Sequence, residues 1–212
     1  FIHEIDYHND IAGTPLPVTM GSFNLYGNSR SASLSWSTTS ELNNSGFDIE
    51  RSIISGSTTG DWQKIAFVQG SGTTTEPKNY SYSDNNLKAG NYKYRLKQID
   101  FNSNFEYFTP ANAEYITIYS PNVFSISQNY PNPSNPVSKI DYQIPFSGNV
   151  NLTVYDVTGK AVTELVNGFQ TADYHSVTFN GNNLASGIYF YRISVGSENS
   201  NFTKTMKMVL VK

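Results

Sequence analysis

The sequence predicts an all-β protein built as two tandem β-sandwiches joined by a Pro-rich linker. Three observations predict it. Apolar and polar residues alternate with period two in nearly every segment, and no helix-length 3.6 pattern stands out. Turn residues (Gly, Asn, Ser) recur between these segments roughly every ten residues, the rhythm of a sandwich. Pro121, Pro131, Pro133 and Pro136 then interrupt the pattern. With 212 residues the chain has room for one large or two small domains. The expected divisions are an N-terminal strand and joint (1–16), a first sandwich (17–119), a linker (120–136) and a second sandwich (137–212).

Composition narrows the function classes. The net charge is −3, no Lys/Arg cluster occurs, and the sequence pI is ≈ 5.6. Both argue against nucleic-acid or anionic-membrane partners. Tyr (15) and Phe (13) are abundant, which suits half-buried pleated surfaces. Mean hydropathy is −0.41, and no apolar run reaches bilayer-spanning length. The absence of cysteine removes disulfides and thiolate metal sites together, so packing alone must hold the fold. The chain opens on Phe1 without Met or an apolar signal region, which suggests a processed mature form or a truncated one.

Taken in order, Phe1-Ile2-His3-Glu4-Ile5-Asp6-Tyr7 is a plausible strand with Phe1, His3, Ile5 and Tyr7 on one face. A flexible Gly/Pro-containing joint, His8 to Pro15, separates it from the first sandwich. It reads as an edge strand of its own domain, as the stub of an upstream one, or as a donor strand completing a neighbouring copy. Ser31–Ser37 puts Ala32, Leu34 and Trp36 on one face and serines on the other. Phe47, Ile49 and Arg51 alternate next, then Trp62–Val68, with Ile65 and Phe67 on the face opposite Trp62, then Tyr92–Leu96. The prolines of 120–136 lock φ and restrict their predecessors, giving a semi-rigid extended spacer. Beyond it, Asp156-Val157-Thr158-Gly159-Lys160 reads as a hairpin turn with Gly159 at positive φ. Asn180-Gly181-Asn182-Asn183 marks another. In Gly187–Ile193, Ile188, Tyr189, Phe190 and Tyr191 make both faces apolar, as expected of a central strand covered on both sides or of a contact surface. On the terminal strand Met206, Met208 and Leu210 share a face and should be buried.

Four stretches, in order, carry a resemblance: Asn129-Tyr130-Pro131-Asn132-Pro133, Val154–Lys160, Leu184–Arg192 and Lys207–Lys212. Together they resemble the C-terminal sorting domain (type A) of type IX secretion cargo, an immunoglobulin-like sandwich that directs export across the outer membrane of Gram-negative bacteria. The resemblance implies an extracellular or cell-surface location, the type IX machinery as partner, and a sorting signal at Gly159, Lys160, Gly187, Tyr189, Lys207, Val209 and Lys212. The chain departs from the family at Ser134, usually Phe, and at Thr158, commonly Leu; both changes are local. More loosely, Pro17 to Tyr119 resembles a fibronectin type III-like sandwich, with Trp36 at the core tryptophan position of the second strand. Leu87–Tyr94 is similar to the turn leading into the sixth strand. A scaffold of this kind does not fix function.

Chemistry is sparse. No Gly-x-Ser-x-Gly turn or phosphate loop occurs. His3 and His8, five residues apart on a strand, point to opposite faces, and His175 opens an alternating strand, so structural or surface roles are expected for all three. Asp100–Glu106 places oxygen donors at alternate positions, but Phe105 and Ala111 occupy the Gly and Glu positions of a calcium loop, so a hairpin turn is expected. Trp36 reads as core and Trp62 as a candidate for a ligand or partner. Sequons at Asn43, Asn79, Asn151 and Asn201 carry little weight. The reading is therefore a non-catalytic, cofactor-free secreted structural or adhesive protein. It self-associates through Phe1, Ile2, Ile5 and Tyr7 into a polymer. The alternatives are the scaffold and sorting tail of a larger secreted enzyme, and a carbohydrate-binding surface module.

Overall fold

A computed structural model describes residues 18–197 and 200–212. The proposed self-association strand, with His3 and His8, lies outside them. The chain divides into two units, Phe1–Ile118 and Tyr119–Lys212. Every named element is a strand.

The first unit is organised by one strand. The sequence reads Ser31–Ser37 and Phe47–Arg51 as separate elements; they are joined in β2 (Ser31–Ser55), which comes after β1 (Val18–Asn28). Along Ala32–Thr38, β2 pairs with β1 on one side and with β5 (Lys78–Asp84) on the other. From Asn44 onward its partners are β4 (Gln63–Thr74) and β6 (Gly90–Asp100), with the short β3 (Thr58–Thr59) at its end. β6 in turn carries β7 (Phe105–Phe108) and β8 (Ile116–Ile118). Trp36 and Phe47 are eleven residues apart, roughly 36 Å in a straight strand. Their ring centroids nevertheless lie 5.4 Å apart, edge to face. The strand therefore folds over itself between them, and its two halves become opposing layers of a sandwich.

The bend has identifiable causes. Register shifts fall between Glu41 and Asn44 and between Asn44 and Gly46. Asn43 sits at φ 58° and Gly46 at φ 154°, and a Cβ on Gly46 would overlap the Val68 carbonyl oxygen, so only glycine fits. Inside the corner Glu41 is 3% exposed. Its Oε1 accepts from Thr38 Oγ1 (2.8 Å) and Tyr80 Oη (2.6 Å). Oε2 accepts from Asn44 Nδ2 and the Ser71 amide, both at 2.8 Å. One carboxylate thus ties together both arms of β2, β4 and β5. Burial opposes its ionisation, but the hydrogen bonds from Tyr80, Asn44, Ser71 and Thr38 outweigh that and hold it below its ordinary value of 4.5. Burial, then Glu41, pushes Tyr80 up to about 12.

The face expected along Trp62–Val68 needs correction. Ile65 is an extra residue opposite the Ile49/Glu50 step, because Ala66 pairs with Ile49 and Lys64 with Glu50. This bulge shifts the phase: Ile65, Ala66 and Val68 pack on the core, and Phe67 turns outward, 43% exposed. Asp100–Glu106 is a hairpin turn. Asp100 Oδ1 accepts from the amides of Asn102 and Asn104, and Oδ2 from Asn104 Nδ2. Trp36, with Phe23, Phe47 and Tyr80 around it, is core as expected.

The second unit packs a three-stranded sheet on a four-stranded one. In the first, β10 (Val137–Ile144) lies between β9 (Ser125–Ile126) and β13 (Asp173–Asn180). The second runs β12 (Ala161–Gln170), β11 (Gly148–Tyr155), β14 (Gly187–Gly196), β15 (Asn201–Leu210). Ile140, Ile144 and Phe179 meet Leu152, Val154, Tyr191, Ile193, Met208 and Leu210 in the core, with Met206 half-buried beside them. β14 is central in hydrogen bonding but covered on one face only: Tyr189 and Tyr191 are buried, whereas Ile188 is 42% exposed.

Residues 120–136 are not a spacer. The Ser127 amide donates to the Asp141 carbonyl, Tyr130 and Lys139 exchange both backbone hydrogen bonds, and Asn129 and Ser134 are buried. Proline fixes the local path, but the hydrogen-bonding groups between the prolines find their partners inside the sandwich.

Glu41→Ala should destabilise the first unit by about 3 kcal/mol in urea unfolding, because four buried donors lose their acceptor. Since the folded carboxyl titrates below 4.5, its stabilisation is complete above that pH and is lost as pH falls through the folded value. Glu41→Gln should flatten this acid-side loss.

Candidate sorting-signal site

The residues expected to carry the sorting signal lie at one end of the four-stranded sheet. There β11 ends, β12 begins, β14 begins and β15 ends, and Tyr155, Phe190 and Lys207 form one cross-strand row. Gly159 and Lys160 occupy the β11–β12 turn. Asp156 Oδ1 accepts from the Thr158 hydroxyl (2.6 Å) and from the amides of Thr158 (2.8 Å) and Lys160 (3.1 Å), while Gly159 takes φ 82°. The Thr158 hydroxyl, opposed by slight desolvation and helped by those amides, lowers the Asp156 carboxyl below its ordinary range. Thr158, the departure from the family pattern, thus builds the turn.

Gly187 and Tyr189 open β14 opposite Leu210 and Met208. Tyr189 is buried, and its hydroxyl donates to the Ala185 carbonyl at 2.8 Å. The chain end closes over this loop: the Lys212 amide donates to Ser186 Oγ (3.1 Å) and Lys212 Nζ to the Asn182 carbonyl (2.6 Å). Lys160, Lys207 and Lys212 are solvent-exposed at this end of the sheet, which also carries the Asp156 carboxylate.

The Pro-rich motif belongs to the same site. The Ser134 amide donates to the Val209 carbonyl (2.7 Å), and the Val211 amide to the Ser134 carbonyl (2.9 Å). The Val209 amide donates to Asn132 Oδ1 (3.0 Å), and Gln128 Nε2 donates to the Lys207 carbonyl (2.7 Å). The segment therefore covers the outer edge of the end of β15, where unpaired main-chain groups would invite strand addition. Asn129, 2% exposed, locks it from inside. Its amide donates to the Tyr191 hydroxyl oxygen (3.0 Å), and the Tyr191 hydroxyl donates to the Ser127 carbonyl (2.8 Å). Asn129 Nδ2 lies 3.0 Å from the Pro131 carbonyl and 3.1 Å from both Ser134 Oγ and Ser138 Oγ. Burial pushes the Tyr191 phenol up, with the Asn129 amide opposing it.

Sequence reasoning missed this buried network of Asn129, Ser134, Ser138 and Tyr191. Only Ser138 and Tyr191 carried a signal, as a hydroxyl and a phenol at inward positions of alternating strands; Asn129 and Ser134 lie where the prolines interrupt the alternation. Ser134, a departure from the family, fits because its hydroxyl donates to Ser138 and accepts from Asn129 in a fully enclosed position.

His175 stacks on Tyr142 (5.3 Å between centroids), with Nε2 2.9 Å from the Thr171 carbonyl oxygen. Among the described residues no group of three or more His, Cys, Asp or Glu could hold a metal ion, and no helix is long and apolar enough to cross a membrane.

Residues 128–210 match a known family, the secretion system C-terminal sorting domain. A tail of this type implies export by type IX secretion to the cell surface or extracellular space. The chain is also similar to two solved structures. One is dimeric latent PorU from Porphyromonas gingivalis, at 18% identity and TM-score 0.36, over 92% of this chain and 20% of that one. The other is a tetra-tandem repeat in the extending region of a large adhesion protein, at 18% identity and TM-score 0.34, over 92% of this chain and 49% of that one. The chain thus spans a fifth of the first and about half of the second. No curated protein matches it.

Asn129→Ala should lower the stability of the second unit by about 2–3 kcal/mol, since it empties a buried polar site whose other members lose a partner. Tyr191→Phe should cost about 1–2 kcal/mol by exposing the Asn129 amide and Ser127 carbonyl to an apolar ring edge. Thermal unfolding of the full chain checks both.

Proposed function

We propose that residues 119–212 are a type A sorting domain and that they export a non-catalytic structural or adhesive protein. The residues before them form a fibronectin type III-like scaffold. One observation carries the first part: the proline motif and the last strand form a single folded site, so the address is a three-dimensional surface completed by the chain terminus. The non-catalytic reading is supported by the composition of the first unit, whose buried acids, Glu41, Asp48, Asp84 and Asp100, are spent on structure, Asp48 in an ion pair with Lys64. Asp84 accepts from Arg51 and Tyr94, as Glu41 and Asp100 accept from their own neighbours.

Deleting Lys207–Lys212 removes the partners of Ser134, Asn132 and Gly187 together. It should abolish surface display, scored by protease accessibility on intact cells, and leave the protein periplasmic. Undiminished display would refute the sorting role.

Self-association is the second part of the proposal. Its support is the period-two amphipathicity of Phe1–Tyr7, with Phe1, Ile5 and Tyr7 on one face, next to a Gly/Pro-containing joint. Burying those three side chains in a neighbouring copy would contribute roughly 1.5–3 kcal/mol each before the ordering cost. Ile5→Asp should therefore convert polymer to monomer in light scattering without shifting the unfolding of either unit. A full-length chain that is monomeric at high concentration would rule the mechanism out.

A further inference from the structure

A second candidate site lies on the first unit, away from Glu41 and unrelated to export. Trp62, Lys93 and the loop Thr109–Glu114 between β7 and β8 line a cleft of about 420 Å³, within the range of small-ligand sites. Its walls are held in place. The Arg95 guanidinium carbon sits 4.3 Å from the Trp62 ring centroid and 3.9 Å from that of Tyr107. Arg95 Nε donates to Glu50 Oε2 at 2.7 Å, which pins the cation that supports the indole. The loop is clamped to β1: Leu25 and Asn112 exchange two hydrogen bonds (2.8 and 2.9 Å), and the Ala111 amide donates to the Phe23 carbonyl. A ligand would meet preformed surfaces and would pay little ordering cost.

The electrostatics select the ligand class. At the rim Lys93 Nζ donates to Glu114 Oε1 at 2.7 Å, and behind the indole Arg95 is matched by Glu50. Each cation has its anion, so the cleft carries no net charge with which to choose an ionic ligand. What remains is an electron-rich aromatic surface beside an exposed carboxylate and an ammonium, acceptor and donor together. A pyranose ring matches this pair of features: its axial C–H groups pack on the indole, and its equatorial hydroxyls both donate and accept. We infer that this cleft binds a short stretch of neutral polysaccharide, with Trp62 as the stacking platform and Lys93 and Glu114 as the hydroxyl-binding pair.

The test titrates the full-length protein with neutral pentasaccharides of β-1,4-linked glucose, mannose and xylose, and with charged pentagalacturonate. The indole Nε1–H resonances of Trp62 and Trp36 are tracked by NMR. The expected result is that at least one neutral sugar shifts the Trp62 resonance and leaves that of the enclosed Trp36 in place. Trp62→Ala should weaken that binding by about tenfold or more. Because that variant also uncovers Arg95, Glu114→Gln is the control that leaves the Trp62–Arg95 stack intact; it should weaken binding several-fold with an unchanged unfolding curve. The inference fails if no neutral sugar moves the Trp62 resonance, if only pentagalacturonate does, or if Trp62→Ala binds as tightly as the parent.

Discussion

The carboxylate of Glu41 is the point on which the first unit turns. A 25-residue strand that serves both layers of a sandwich must bend sharply, and bending removes ladder hydrogen bonds where water cannot replace them. Glu41 fills that gap with four donors from both arms of β2, from β4 and from β5. An ion so enclosed is stable only because every oxygen is occupied, so the corner tolerates little rearrangement. Asn44 extends the same network outward by accepting from Gln98 Nε2, 3.2 Å away on β6. The opposed apolar stripes of Trp36 and Phe47, and the sheet that carries the Trp62 cleft, both depend on this bend.

The second unit solves a different problem by similar means. The last strand, β15, is an edge of its sheet, and the Asn129–Pro136 segment closes that edge with main-chain bonds to Val209 and Val211. The Asn129–Tyr191 contact joins this cover to the core side of the same four-stranded sheet. The physical consequence is coupling between the Pro-rich segment and the last strand. Residues at the two ends of the unit, nearly eighty positions apart, depend on each other.

Much of this was legible in the sequence because it is local. Alternation around Ala32, Leu34 and Trp36 marks the core face, Gly159 marks its turn, Asp100 marks the β6–β7 hairpin, and Met208 and Leu210 mark the inward side of β15. What was not legible is nonlocal or breaks phase. Nothing local marks Glu41, since an acid between Ser40 and Leu42 gives no hint that four donors enclose it. The bulge at Ile65 carries no Gly or Pro to announce it, and it reverses the direction of Phe67. The prolines around Asn132 restrict φ locally, yet the path bends at residues 131–133 and 135–136 instead of running extended. Their local rule is silent on what the path lies against, and that is why the segment reads as a spacer. Arg95 between Trp62 and Tyr107 is likewise a product of sheet pairing, since the three residues lie on three separate segments.

The central claim is that the proline motif and the terminal strand are one cooperative structure. Amide hydrogen exchange on the full chain and on the chain lacking Lys207–Lys212 tests it most directly. The account predicts that the Tyr130, Ser134 and Lys139 amides lose protection in the shortened chain while the amides of β2 and β6 keep theirs. Retained protection at Ser134 and Tyr130 would contradict it.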